Sequence, residues 1–201
     1  MTEDDVDARL RAALRTGGAA ALVDWAATGR PGLLLLRGYL TDVWDAGPIE
    51  GTHPRDVIDN TSAAVAAIAA AHPLGFLDVF EDDRFRESGY VLTGLGKIDD
   101  PRATERLIRA AGSADQWTRM DVAIGLGRRP SPAATLTLGD LLVDHEYLVR
   151  YHALKSLTKI GDDSMLPILR GLKPPSPFEV ELVRTAIAAI VGRAAALPPT
   201  R

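Results

Sequence analysis

The segment VRYHALKSLTKIGDDSMLPIL, residues 149–169, predicts two helices joined by a tight turn. Apolar residues such as Ala153 and Leu157 recur at intervals of three and four in its first half, which is typical of a helix with one buried face. Gly161 ends that helix, and Asp162 can accept hydrogen bonds from the free N–H groups at the start of the next one. The segment therefore predicts a helical hairpin.

The hairpin pattern returns every 31 residues. Five apolar positions and one helix-capping position keep their character in three successive copies. The matched columns are Val91, Val122 and Ala153; Leu92, Ala123 and Leu154; Leu95, Leu126 and Leu157; Asp100, Ser131 and Asp162; Leu107, Leu138 and Leu169; and Ala110, Leu141 and Leu172. A fourth copy follows at a spacing of 33, and its two additional residues fit the proline-rich turn at 174–177. Because a lone hairpin cannot bury both of its apolar stripes, repeats of this kind stack on their neighbours.

The rest of the chain carries the same punctuation, with Gly, Pro, Asp or Ser between segments of helical periodicity. No stretch shows the alternation typical of strands. Helices are predicted at 4–15, 19–28, 31–45, 54–71, 73–81, 84–97, 101–112, 115–128, 132–143, 145–160, 163–172 and 177–194. The predicted fold is all-α, a right-handed α-solenoid of antiparallel helix pairs. We expect an N-terminal helical cap with degenerate repeats at 1–81 and one continuous array at 82–201.

Residues 149–169 and the related stretch LTGLGKIDDPRA, residues 92–103, resemble HEAT repeats of the short bacterial kind first noted in phycobilisome lyases. The resemblance is strong over 84–172, weaker over 177–194 and only architectural over 19–81. It implies an α-solenoid whose second helices line a concave surface. It also implies a scaffold that binds proteins or peptides there, since nucleic acid is a less frequent ligand in this family and catalysis is rare.

Composition narrows the classes of function. The 201 residues include no cysteine, which excludes disulfides, cysteine nucleophiles and cysteine-based zinc sites. The net charge is −8 over residues 1–100 and +4 over 101–201, or −4 in total, which disfavours nucleic acid as a ligand along the whole chain. The sequence shows no membrane span and its acidic N-terminus has no signal-peptide pattern, so a cytoplasmic protein is expected. The uneven charge and the apolar run Leu33–Leu36, which predicts a deeply buried helix or a dimer contact, also allow a homodimer.

Cationic residues form a further column at the 31-residue spacing. Lys97, Arg128 and Lys159 fall in the last turn of successive second helices, where the helix dipole favours a positive charge. The column is explained by this capping role. Alternatively, it forms a basic rail on the concave face that attracts an acidic peptide or a phosphate backbone.

Arg119 and Arg150 are also equivalent in the repeat. Each follows an acid by four residues, Asp115 and Glu146 respectively, in the favourable order for an ion pair on one helix. The same arginines could pair one repeat with the next or contribute to the basic rail.

Aromatic and basic residues cluster on two neighbouring second helices. Trp117 and Asp121 lie one turn apart on one helix, and Tyr147 and Tyr151 lie one turn apart on the next. Aromatic residues, Met and Arg are enriched at protein interfaces. We therefore predict a protein or peptide partner. The predicted partner-binding residues are Trp117, Arg119, Met120, Asp121, Arg128, Tyr147, Arg150, Tyr151, Lys155 and Lys159.

Trp117, Asp121 and Arg150 support a second hypothesis, because they resemble the site of alkylpurine DNA glycosylases built from HEAT-like repeats. The resemblance implies that Trp117 holds the damaged nucleotide, Asp121 stabilises the positive charge of the departing base and Arg150 contacts phosphate. The negative net charge opposes this hypothesis. A third hypothesis, a lyase-like or chaperone role on a small-molecule or chromophore-bearing partner, follows from the family resemblance alone.

Motifs for catalysis and metal binding are not found in the sequence. There is no Walker loop, no His-Glu-x-x-His and no nucleophile elbow. His145 and His152 lie two helical turns apart, but a metal site needs three or four convergent ligands. We expect no catalytic residue, no metal site and no cofactor.

Overall fold

A computed structural model describes residues 33, 34, 36, 37, 40 and 54–196, with the backbone alone for 54–60. These residues form helices and turns, and no strand occurs among them. The predicted all-α fold is therefore confirmed. The predicted helices at 4–15 and 19–28, and much of the cap predicted at 1–81, lie outside the described residues.

Short helices alternate with turns along the described chain. Proline is the first residue of five of them, because the first turn of a helix needs no N–H partner at that position. The elements are α1 (Pro54–Ala71), α2 (Pro73–Val79), a 3₁₀ turn (Asp83–Phe85), α3 (Gly89–Leu95), α4 (Pro101–Ala110), α5 (Gln116–Leu126), α6 (Pro132–Leu141), α7 (Tyr147–Ile160), a second 3₁₀ turn (Asp163–Met165), α8 (Leu166–Gly171) and α9 (Pro177–Ala196).

Two of the predicted helices, 84–97 and 163–172, are each divided into a 3₁₀ turn and a following α-helix. Asp82 and Asp162 each accept a hydrogen bond from the N–H two residues later, which starts a tight turn. Near the second division, Pro167 lies in the first turn of α8, where its missing N–H is tolerated. The predictions of one continuous helix at these places were wrong.

The capping column of the repeat is confirmed. The side chains of Asp100, Ser131 and Asp162 accept hydrogen bonds from backbone N–H groups two or three residues later, at 2.8–3.1 Å. These bonds satisfy donors that a helix start leaves without an internal partner. The turns between helices are therefore fixed by side chains that recur with the repeat.

The chain divides into two compact units, Met1–Ala103 and Thr104–Arg201. In the first unit, α1 packs against α2 and α3. Its core includes three phenylalanine rings, with 4.6 Å between the ring centroids of Phe76 and Phe80 and 5.2 Å between those of Phe80 and Phe85. In the described part of this unit, apolar and aromatic side chains therefore form the core.

The apolar run that begins at Leu33 also belongs to the first unit. Leu33, Leu36 and Leu40 are buried, whereas Leu34 is 47% exposed. The predicted deep burial is confirmed for two of the three described leucines of the run Leu33–Leu36, and also for Leu40 on the same predicted helix. The homodimer stays a prediction.

In the second unit, helical hairpins stack side by side. Helix α7 packs against α5, α6 and α9, and α8 packs against α9. Apolar columns of the repeat are fully buried here, including Val122 with Ala153 and Leu126 with Leu157. Each hairpin covers the apolar side of its neighbour, so the predicted α-solenoid architecture is confirmed.

No single helix in the described part of the chain is long and apolar enough to cross a membrane. The segments Thr61–Ala71 and Pro73–Val79 satisfy that criterion together, but they are bent by 115° at the break between them.

Candidate functional site

Arg119 and Arg150 make identical backbone contacts at two successive junctions. The first junction is the contact between α5 and α7, which contains Arg119, and the second junction is the contact between α7 and α9, which contains Arg150. In both arginines Nη1 donates to the carbonyl oxygens six and five residues earlier, at 2.8 and 3.0 Å. The 31-residue repeat therefore extends to individual hydrogen bonds.

At the first junction, Arg119 forms a bidentate ion pair with Asp144. Nε donates to Oδ2 at 2.7 Å and Nη2 donates to Oδ1 at 3.1 Å, and both side chains are 7% exposed. Burial alone raises the pKa of Asp144, but the hydrogen bonds from Arg119 and from the Glu146 backbone outweigh it, so the pKa lies below its usual value. The predicted pairing of Arg119 with Asp115 was wrong, because Asp115 caps α5.

The first junction also has a close approach at the end of α5. Ser156 Oγ donates to the carbonyl oxygen of Ala123 at 2.7 Å within the protein interior. A Cβ added to Gly127 would lie 2.6 Å from Ser156 Cβ and still closer to Ser156 Oγ. Glycine is therefore required at position 127 for the two helices to meet at this distance.

At the second junction, the ion pair between Arg150 and Glu179 is monodentate. Arg150 Nε donates to Glu179 Oε1 at 2.8 Å, while Glu179 Oε2 accepts from Ser176 Oγ at 3.0 Å. Nη2 of Arg150 makes no hydrogen bond to any residue that the structure describes. The predicted pairing of Arg150 with Glu146 was wrong, because the arginine reaches the acid of the next second helix instead.

Tyr151, which is partly exposed, lies between two exposed rings, and the three residues Tyr147, Tyr151 and Phe178 are here called the aromatic surface. The ring centroid of Tyr151 lies 6.0 Å from that of Tyr147 and 6.4 Å from that of Phe178, with which it is stacked at 18°. Tyr147 is 41% exposed and Phe178 is 56% exposed. Lys155 Nζ lies 5.3 Å from the centroid of Tyr151, within the range of a cation–π contact.

Trp117, on the neighbouring helix α5, is also 53% exposed. One turn later, burial and the charge of Asp115 raise the pKa of the half-buried Asp121 to about 6. At the equivalent position of α7, burial together with Lys155 and Lys159 lowers the pKa of His152. The two positions thus both favour an uncharged side chain.

The repeat geometry agrees with the comparison with known families. Residues 112–191 match the family of HEAT repeats. This range contains α5 to α8 and most of α9, and therefore both junctions and the aromatic surface. The match supports the HEAT-repeat family, in which helical repeats form a scaffold. No curated protein matches the chain.

The structure places most of the predicted partner-binding residues on α5 and α7. Met120 is partly buried, and Arg128, Lys155 and Lys159 are exposed, as is Lys97 in the first unit. Arg119 is 6% exposed and Arg150 is also largely buried, so both hold helices together instead of presenting their charges at the surface. Of the cations predicted for the basic rail in this unit, Arg128 and Lys159 are therefore the two that remain exposed.

Sequence reasoning missed Asp144, Glu179 and Phe178. The two acids follow their arginines by 25 and 29 residues, so a search at a fixed spacing of 31 cannot align them. Phe178 follows the proline-rich turn, which shifts the register of the last repeat. Among the residues that the structure describes, no group of three or more His, Asp or Glu could hold a metal ion.

Proposed function

We propose that the protein is a non-enzymatic scaffold whose HEAT repeats bind an acidic protein or peptide segment on α5, α7 and α9. The stack of the partly exposed Tyr151 on the exposed Phe178, which joins two successive second helices, is the observation that carries the proposal. Burial of such rings contributes about 25 cal/mol for each Å² of apolar surface removed from water, and the entropy lost on association offsets part of it. Aromatic residues of this kind are frequent hot spots of protein interfaces.

The charge of this surface supports an acidic partner. Lys155 lies over the ring of Tyr151, while Lys159, one turn later on α7, and Arg128, just after α5, are also exposed. The two lysines contribute to the lowered pKa of His152. A positive potential accelerates association with an acidic segment and makes the rate dependent on salt. The aromatic side chains supply affinity, while the cations select for charge.

Selection of peptides tests this proposal. A displayed library of random peptides is selected on the full chain, and the affinity of the enriched peptides is measured for wild type and for the double variant Trp117→Ala/Tyr151→Ala. We expect acidic peptides with apolar residues and at least a tenfold loss of affinity in the variant.

The matched control is Leu136→Ala/Ile168→Ala, which removes two exposed apolar side chains from the first helices α6 and α8. It should leave the affinity unchanged, and thermal unfolding should confirm that both variants are folded. Equal affinities of wild type and the Trp117/Tyr151 variant would refute the site. Equal losses in both variants would show that peptide binding is unspecific.

One observation favours an enzyme acting on modified DNA as a second candidate. Asp121, with a pKa of about 6, lies one turn from the exposed Trp117, and perturbed carboxyl groups cluster at functional sites. Retention on duplex DNA at low salt with a steep salt dependence would favour this enzyme. Elution at the lowest salt used would favour the peptide-binding scaffold, whose expected partner is a protein or peptide and not nucleic acid.

Several finer features stay predictions alongside this proposal. They are the phycobilisome-lyase kind of repeat, the cytoplasmic location, the homodimer and the continuity of the array over 82–201. A lyase-like or chaperone role has no support from any side chain that the structure describes.

A further inference from the structure

A cavity of about 470 Å³ in the second unit combines an apolar wall with charged groups. Leu142, Leu154 and Val183 contribute apolar surface, and the proline-rich turn closes one part of the lining. Arg150, Glu179 and Lys173 contribute the charges. Cavities of roughly 300–1,000 Å³ with a few polar groups in an apolar lining are typical of small-molecule sites.

The chemical group that the cavity favours follows from a comparison of the two junctions. At the first junction, one carboxylate accepts hydrogen bonds from both Nε and Nη2 of Arg119. At the second junction, Glu179 divides its oxygens between Arg150 and Ser176, so Nη2 of Arg150 receives no acceptor from the described residues. A guanidinium group presents its donors in a fork that matches a carboxylate.

The charge balance of the cavity also favours a carboxylate ligand. Arg150 and Glu179 neutralise one another through their ion pair. Lys173 adds a positive charge to the lining, so the lining carries an excess of one cation. A ligand with one negative charge and an apolar body therefore complements both the charge and the apolar wall.

We propose that this cavity binds a small amphipathic monocarboxylate of the fatty-acid type. Its carboxylate accepts hydrogen bonds from Nη2 of Arg150, Lys173 balances its charge, and its chain packs against the leucines and Val183. This site is separate from the aromatic surface and does not depend on the proposed scaffold function.

Octanoate is the probe for this proposal, with 1-octanol as the uncharged ligand of equal chain length. Binding to the full chain is measured by titration calorimetry at pH 7.5. We expect octanoate to bind with a submillimolar Kd and at least tenfold more tightly than 1-octanol. No binding of octanoate at 5 mM, or equal affinity for the two ligands, would overturn the proposal. Tighter binding of a free tripeptide ending in leucine would overturn the assignment to a small molecule.

Two glycine variants locate the site without removing Arg150, whose loss would leave Glu179 buried and unpaired. Gly171 lines the cavity, and no atom lies within 4 Å of an added Cβ at Gly171 or at Gly112. Gly171→Leu should fill part of the cavity and lower the affinity for octanoate at least tenfold. Gly112→Leu should leave that affinity unchanged. Lys173→Ala should weaken octanoate by about three- to tenfold. Unchanged affinity in Gly171→Leu would show that octanoate binds elsewhere.

Discussion

The first and second junctions each have an arginine at the same position of the repeat, but the two arginines bind their carboxylate partners differently. Arg119 engages both oxygens of Asp144, while Arg150 engages one oxygen of Glu179. The difference follows from the proline-rich turn, because Ser176 in that turn takes the other oxygen of Glu179. A repeat can thus preserve its backbone contacts while one inserted turn leaves a donor available and opens a cavity.

The largest expected effect is the loss of the buried arginine at the first junction. Arg119→Ala leaves Asp144 buried without its cation and should lower the free energy of unfolding by about 3–5 kcal/mol. Arg150→Ala should cost less, about 2–3 kcal/mol, because Glu179 keeps its hydrogen bond from Ser176 and Nη2 of Arg150 has no partner among the described residues to lose. Urea denaturation of both variants measures the difference. A larger loss in Arg150→Ala would contradict the proposed ranking of the junctions.

The next effect concerns the close approach at the first junction. Gly127→Ala places a Cβ 2.6 Å from Ser156 Cβ. Overpacking of this kind should lower the free energy of unfolding by about 2–3 kcal/mol. Gly192→Ala is the control, since its added Cβ meets no atom within 4 Å in α9. That variant should gain about 0.5–1 kcal/mol from the better helix propensity of alanine. Equal thermal stability of the two variants would contradict the account of Gly127.

The equivalent positions 121 and 152 should respond to pH in opposite directions. The pKa of Asp121 is raised to about 6 in the folded protein, so its ionisation destabilises the fold as pH rises from about 4 to above 6. The free energy of unfolding of Asp121→Asn should therefore exceed that of wild type by about 1–2 kcal/mol at pH 7.5, and this difference should vanish below pH 4.

The pKa of His152 is lowered, so its protonation destabilises the fold as pH falls through 6.5. His152→Gln should gain stability at pH 5 and change little at pH 8. Denaturation curves across this pH range measure both effects. A gain in Asp121→Asn that is larger at pH 4 than at pH 7.5 would contradict a raised pKa of Asp121 in the folded protein.

The smallest expected effect lies on the aromatic surface. Lys155→Met removes the cation over the ring of Tyr151. This change should lower the free energy of unfolding, measured by urea denaturation, by about 0.5 kcal/mol. Lys159→Met is the control, because no cation–π contact of Lys159 occurs among the described residues. Matching losses in the two variants would show that general charge, and not the ring contact, is responsible.

The sequence predicts the features that recur at a fixed spacing. The buried columns, such as Val122 with Ala153, and the caps at Asp100, Ser131 and Asp162 follow from helical periodicity and from the chemistry of helix starts. The ion-pair partners could not be predicted in this way, because they lie between repeats at unequal spacings. The same holds for the stacking of Phe178 on Tyr151 and for the cavity, which depend on how α9 is placed after the proline-rich turn.

Site-specific photo-crosslinking tests the central claim, that a protein partner binds the exposed face of α5, α7 and α9. A photoreactive phenylalanine analogue replaces Trp117 in one sample and the exposed Leu136 of α6 in the other, and both chains are irradiated in the native host. The account predicts a discrete crosslinked protein from position 117 that Tyr151→Ala abolishes, and none from position 136. Crosslinks from position 136 alone, or crosslinks from position 117 that persist in Tyr151→Ala, would contradict it.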